Sequence, residues 1–197
     1  MSASVLSKVI DLLKSRSIVP DVIKVLNPIR ELNVTYAAPL QTGEKLTPSK
    51  VVNTPTVTYD ADSSNFYTLV MFDPDVPSRQ DPKWGQWLHW VVTNIPGNKV
   101  TEGEVMADYI GSGPPEKTSY HRYIFVLCKQ PSKMVFKGEY KLPFTADKRN
   151  NWSFDTFASK WNLQPEAVNF YEAEFDDAVP GLYKKLEECK EKPVLIE

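Results

Sequence analysis

FYTLVMFDPDVP, residues 66–77, decides the fold of this 197-residue chain. Phe66 to Phe72 is apolar at almost every position, so both faces of an extended segment call for cover, and the run predicts a buried strand. At its end Asp73 and Asp75 stand among prolines, which stiffen the turn at the kind of strand end where ligands meet a sheet. Asp73 shares the face of Leu69 and Met71, which predicts burial, and Asp73-Pro74 is the candidate for a cis bond.

Two further runs have the same character, Leu88 to Ile95 and Tyr123 to Cys128. The chain's two histidines, His89 and His121, stand at the heads of these runs. A polar group left unpaired inside a sheet is costly, so each needs a partner or a purpose; Tyr123 falls on the face of His121. Between the two runs lies Gly111-Ser112-Gly113-Pro114-Pro115, a loop whose N–H groups can approach an anion closely before the prolines lock it, although such loops are also ordinary turns. Trp84, Trp87 and Trp90 crowd the same region, either as core or as a rim able to meet a ligand cation.

The remaining segments read as short connected elements. Val5, Leu6, Val9, Ile10, Leu12 and Leu13 predict an amphipathic helix, and Asp21 a second helical turn through Val22, Ile23 and Val25 that Pro28 stops. Alternation around Leu32–Tyr36 and Val57–Tyr59 predicts strands. Residues 152–162 predict a helix capped by Ser153; Val168 to Phe175 predicts a last strand, and a C-terminal helix starts at Pro180. Residues 192–197 read as a loose tail. The expected organisation is one domain over 1–187, with a helical segment at 1–27 and a tail at 188–197.

Composition narrows the function. With 23 Lys+Arg against 25 Asp+Glu, a net charge of -2 and 42% hydrophobic residues, the chain can bury one real core, and it shows no basic block for nucleic acid. Two cysteines, Cys128 and Cys189, imply no disulfide framework. No zinc or other metal spacing, no P-loop and no GxSxG elbow is present, so neither a cofactor nor an activated nucleophile is expected. No uninterrupted apolar span or leader is seen, and the expectation is a cytoplasmic monomer with peripheral membrane contact at most.

The strings DPDVPS (73–78), LHW (88–90), GSGPP (111–115) and HRYIF (121–125), in this order, resemble the phosphatidylethanolamine-binding protein family, also called the Raf kinase inhibitor protein family. TPTVTYD, YTLVMFD and YEAEFDDAVPGLY extend the resemblance over roughly residues 20–187. It implies a mainly β, Greek-key fold with a large central antiparallel sheet, a smaller sheet and peripheral helices including a C-terminal one. It also implies an anion pocket corresponding to Asp73, Trp87, His89, Gly111, Gly113, Pro114, Pro115, His121 and Tyr123, with Tyr183 at the rim. Trp84 stands where many relatives have Tyr, and Glu116–Tyr120 lacks glycines common there.

In such a pocket the glycine-loop N–H groups and both imidazoles are expected to donate to phosphate oxygens, while Asp73 orients an imidazole or meets a ligand ammonium. Anion affinity should then rise as pH falls through the histidine range. The expected function is a non-enzymatic binder of a phosphoethanolamine or phosphatidylethanolamine headgroup, or another small phosphorylated or anionic ligand, that modulates a protein kinase or serine protease. The alternatives are a hydrolase or transferase using Asp73, His89 and His121, and an interaction scaffold with a vestigial pocket.

Overall fold

The computed structural model describes residues 3–24 and 30–197. Its strands are β1 (Arg30–Glu31), β2 (Asn33–Thr35), β3 (Glu44–Leu46), β4 (Thr56–Thr58), β5 (Phe66–Asp73), β6 (Trp87–Pro96), β7 (Glu104–Ala107), β8 (His121–Lys129), β9 (Tyr140–Lys141), β10 (Gln164–Ala173) and β11 (Val194–Leu195). The helices are α1 (Ala3–Ser15), α2 (Phe154–Lys160) and α3 (Val179–Glu188).

The three apolar runs form the heart of a seven-stranded sheet, ordered β1-β10-β8-β5-β6-β7 with β3 also on β10. Because side chains alternate between faces, these strands divide the interior in two. Val70, Phe72, Ile124, Val126, Cys128 and Phe170 face one core, which α1 and α2 complete with Leu13, Phe154 and Phe157. Leu69, Met71, Tyr123, Phe125, Leu127 and Tyr171 face the other, closed by Val34 and Val57 of the small β2–β4 sheet. Ser153 caps α2 by accepting from the Thr156 N–H.

Several expectations need correction. The large sheet is mixed: β1 and β3 both pair with β10 in parallel. These are pairings of two and three residues that no local pattern announces. Asp21 starts no second helix; Ile18–Ile23 is a turn closed by the Val22 and Ile23 N–H groups on the Ile18 carbonyl, and Val25 and Pro28 lie outside the described residues. The cis bonds are Val19-Pro20 and Val76-Pro77, whereas Asp73-Pro74 is trans. The tail is not loose, since β11 pairs with β9 and Ile196 exchanges hydrogen bonds with Gly138 and Glu139. No described helix is long and apolar enough to cross a membrane.

Register places the site. β5 runs antiparallel to both neighbours, setting Asp73 beside Trp87 of β6 and Phe72 across from Ile124 of β8. The end of β5 and the beginnings of β6 and β8 therefore meet at one end of the sheet, carrying Asp73, His89, His121 and Tyr123 with them.

Candidate functional site

A cavity of about 540 Å³ opens at that end. Asp73, Trp87, His89, Gly111, Gly113, Pro115 and Tyr123 line it, with Trp84 and Tyr183 at the mouth. Pro114 and His121 do not line it: Pro114 is buried, and His121 sits behind Asp73. The volume is typical of small-molecule sites and exceeds what a bare headgroup needs; Val76, Leu182 and Leu186 give its outer walls an apolar character.

Hydrogen-bond bookkeeping fixes the protons behind the floor. Thr118 Oγ1 donates to the Pro115 carbonyl at 2.7 Å, so it must accept from His121 Nε2 at 2.9 Å. His121 Nδ1 lies 2.7 Å from Asp73 Oδ2, a contact that holds one more proton whichever atom carries it. The pair is thus neutral overall. Burial raises the Asp73 pKa; at His121 burial pulls the other way, but the bond and charge of Asp73, helped by Asp75, win and hold the imidazole above its ordinary value. Asp73 Oδ1 accepts the Asp75 N–H at 2.7 Å, so both its oxygens are engaged.

The line Thr118–His121–Asp73 has the contacts of a nucleophile, base and acid. It cannot work as one, because the hydroxyl proton is committed to Pro115 and Thr118 does not line the cavity.

His89 differs from expectation. Its Nδ1 is 2.6 Å from the Ile110 carbonyl, so this nitrogen carries the hydrogen and points away from any ligand. Burial lowers its pKa to about 3, and it stays neutral through the ordinary histidine range. Two imidazoles donating to one anion are therefore not what the floor offers. Tyr123, stacked on His121 and Tyr171, has a buried hydroxyl with no aligned partner among the described residues, as have Ser112 of the glycine loop and Tyr171. The N–H groups of Gly111 and Gly113 make no hydrogen bond to another backbone group among the described residues, and that of Gly113 lies towards the Tyr123 oxygen.

The glycines are there for space. A Cβ at Gly111 would overlap the Val51 carbonyl oxygen, and one at Gly113 would reach Leu182 Cδ2 of α3 at 2.8 Å. Tyr183 ties α3 to the same loop by donating to the Gly113 carbonyl at 2.7 Å. The next loop turns without glycine, through Lys117 and Ser119 at φ of 68° and 62°. Trp84 is 49% exposed, an unusual setting for so large an apolar ring.

Important neighbours escaped the sequence. Arg149 is fully buried with no carboxylate bonded to it among the described residues; it donates to the carbonyls of Thr145, Leu88, His89, Asp108 and Pro143 and lies over Trp87. Burial lowers its pKa to about 10. Lys148, Asp147 and Glu187 join the rim, and Asp75 turns away to a buried pair with Arg122. In Asp147-Lys148-Arg149-Asn150 every residue is polar, which reads as a solvated turn; only its position between Phe144 and Trp152 hinted otherwise.

Comparison with known proteins places this geometry in context. The family model described as phosphatidylethanolamine-binding protein matches residues 30–173. A Drosophila melanogaster protein with the provisional name odorant-binding protein A5 is 30% identical over 179 residues, covering 89% of this chain and 84% of that one. Among solved structures, a carboxypeptidase Y inhibitor complexed with its cognate proteinase superposes with a TM-score of 0.76 at 28% identity, over 87% of this chain and 97% of that one. The solution structure of CG7054 gives 0.70 at 40% identity, over 86% and 97%.

Proposed function

The chain belongs to the phosphatidylethanolamine-binding protein family, and from that membership and its cavity we propose a non-enzymatic binding protein that holds a phosphorylated or otherwise anionic head and modulates a protein partner. One observation carries the reading. Donors and an acceptor converge on a site whose one buried carboxylate, among the described residues, is already neutralised: the Gly111 and Gly113 N–H groups, the Tyr123 hydroxyl and His89 surround Asp73, which His121 compensates. Such a floor recognises a polar head without attacking it, since among the described residues no hydroxyl or thiol there is paired with a free base.

Val76, Trp84, Leu182 and Leu186 then accept the apolar part of the same ligand, as a lipid or a small odorant-like molecule would carry. A serine protease or a protein kinase is the partner class, and the structural relative seen bound to its cognate proteinase supports the protease. We place this activity in the cytoplasm, in a single domain acting as a monomer.

Calorimetric titration with O-phosphoethanolamine tests the reading. Saturable binding is expected, weakened about fivefold in Tyr123→Phe, the loss of one hydrogen bond of about 1 kcal/mol. No binding at millimolar ligand would sink it, and so would turnover of a phosphomonoester or ester panel that disappears in Asp73→Asn.

A further inference from the structure

The proton count of the cavity floor restricts what the head can be. The Ile110 carbonyl only accepts, so the His89 nitrogen 2.6 Å away carries the ring's hydrogen, and a neutral ring presents a bare Nε2. Among described residues no donor is bonded to that nitrogen. Of the groups around it, Asp73 on β5 has both oxygens engaged, and on β8 His121 donates from Nε2 to Thr118 and shares the proton of its Nδ1 contact with Asp73. Tyr123, also on β8, meets the ring edge-on, with centroids 5.2 Å apart. From the 146–150 loop, Arg149 donates to backbone carbonyls, and Lys148 lies over the Tyr140 ring at 4.2 Å. Asp147 of that loop and Glu187 of α3 add only negative charge.

Protonating the ring instead is unfavourable. Burial is the main obstacle; the Ile110 carbonyl and, more weakly, that of Gly111 help, but the charges of Arg149 and His121 oppose it.

Resting on the anion-binding reading above, we infer that the cavity selects a head that brings its own hydrogen to His89 Nε2: a singly protonated phosphate monoester rather than the dianion. Binding from a solution of the dianion then takes up one proton from solvent, and the pH dependence follows the ligand's ionisation, not a histidine's. A phosphodiester head reaches this nitrogen only through an attached ammonium.

Titration calorimetry with monomethyl phosphate, in paired buffers of different ionisation enthalpy, reads the proton number directly. The second ionisation of a phosphate monoester lies at about pH 6. Uptake should approach one proton near pH 8 and vanish near pH 4, with affinity falling about tenfold per pH unit above the ligand's pKa. Dimethyl phosphate, which has no hydrogen to give, should bind at least tenfold more weakly than the monoester at pH 6. His89→Gln, whose amide can donate, should still bind while losing both the uptake and the slope.

Binding of monomethyl phosphate without proton uptake at pH 8, equal affinity for the two esters, or unchanged uptake in His89→Gln would each overturn this inference while leaving the anion site standing. No binding of either ester at any pH would overturn both.

Discussion

At the scale of single residues, the two histidines act on stability with opposite signs. His89 has a folded pKa of about 3 against 6.5 when free, so its contribution is complete above pH 6.5 and is lost as pH falls towards 3. The slope is about 1.4 kcal/mol per pH unit over that window. His121 has a raised pKa, so its contribution is present below 6.5 and is lost as pH climbs through the raised value. Urea unfolding from pH 7 to pH 4 should show the wild type losing stability more steeply than His89→Gln; parallel curves would refute the assignment. Composition supplied the two candidates, for a chain with two histidines at strand heads has little choice of buried imidazoles. It could not separate their roles. Which ring nitrogen meets a carbonyl and which meets a carboxylate depends on Ile110 and Asp73, 21 and 48 positions away in the chain.

At the scale of elements, the glycine loop is clamped between a 3-10 turn at Pro48–Val51 and α3, and the two sides differ in compliance. Gly111 faces a backbone oxygen that cannot yield, whereas Gly113 faces the end of a leucine side chain that can rotate. Gly111→Ala should cost about 2–3 kcal/mol by overpacking, and Gly113→Ala under about 1.5. Thermal unfolding of both variants checks the order, and a reversed order would discredit the packing account. The long strands were legible because β5, β6 and β8 are apolar on both faces, a pattern that survives without partners. β1, β3, β9 and β11 were not, being two or three residues long and defined only by distant neighbours. The turn at Asp21 shows the limit of local signals: a good capping residue next to Pro20 lacked the length of apolar periodicity that a helix needs.

At the scale of the molecule, Arg149 joins what the chain keeps apart. Its guanidinium gathers carbonyls from the start of β6, from Asp108 after β7 and from the 143–145 turn, so the wall of the cavity and the sheet beneath share one buried cation. Lys offers three donors on a narrower head and would leave buried carbonyls unpaired. Arg149→Lys should therefore lose about 2–4 kcal/mol in urea unfolding, and an unchanged midpoint would show that the cation is dispensable. The floor of the site stands on strands whose register two cores enforce, while its mouth is made of Trp84 of the β5–β6 connection, α3 and the 146–150 loop, segments outside the sheet. Descent with modification can therefore work on the two at different speeds. A lineage is free to redraw the doorway, altering its clientele, while it inherits the socket intact.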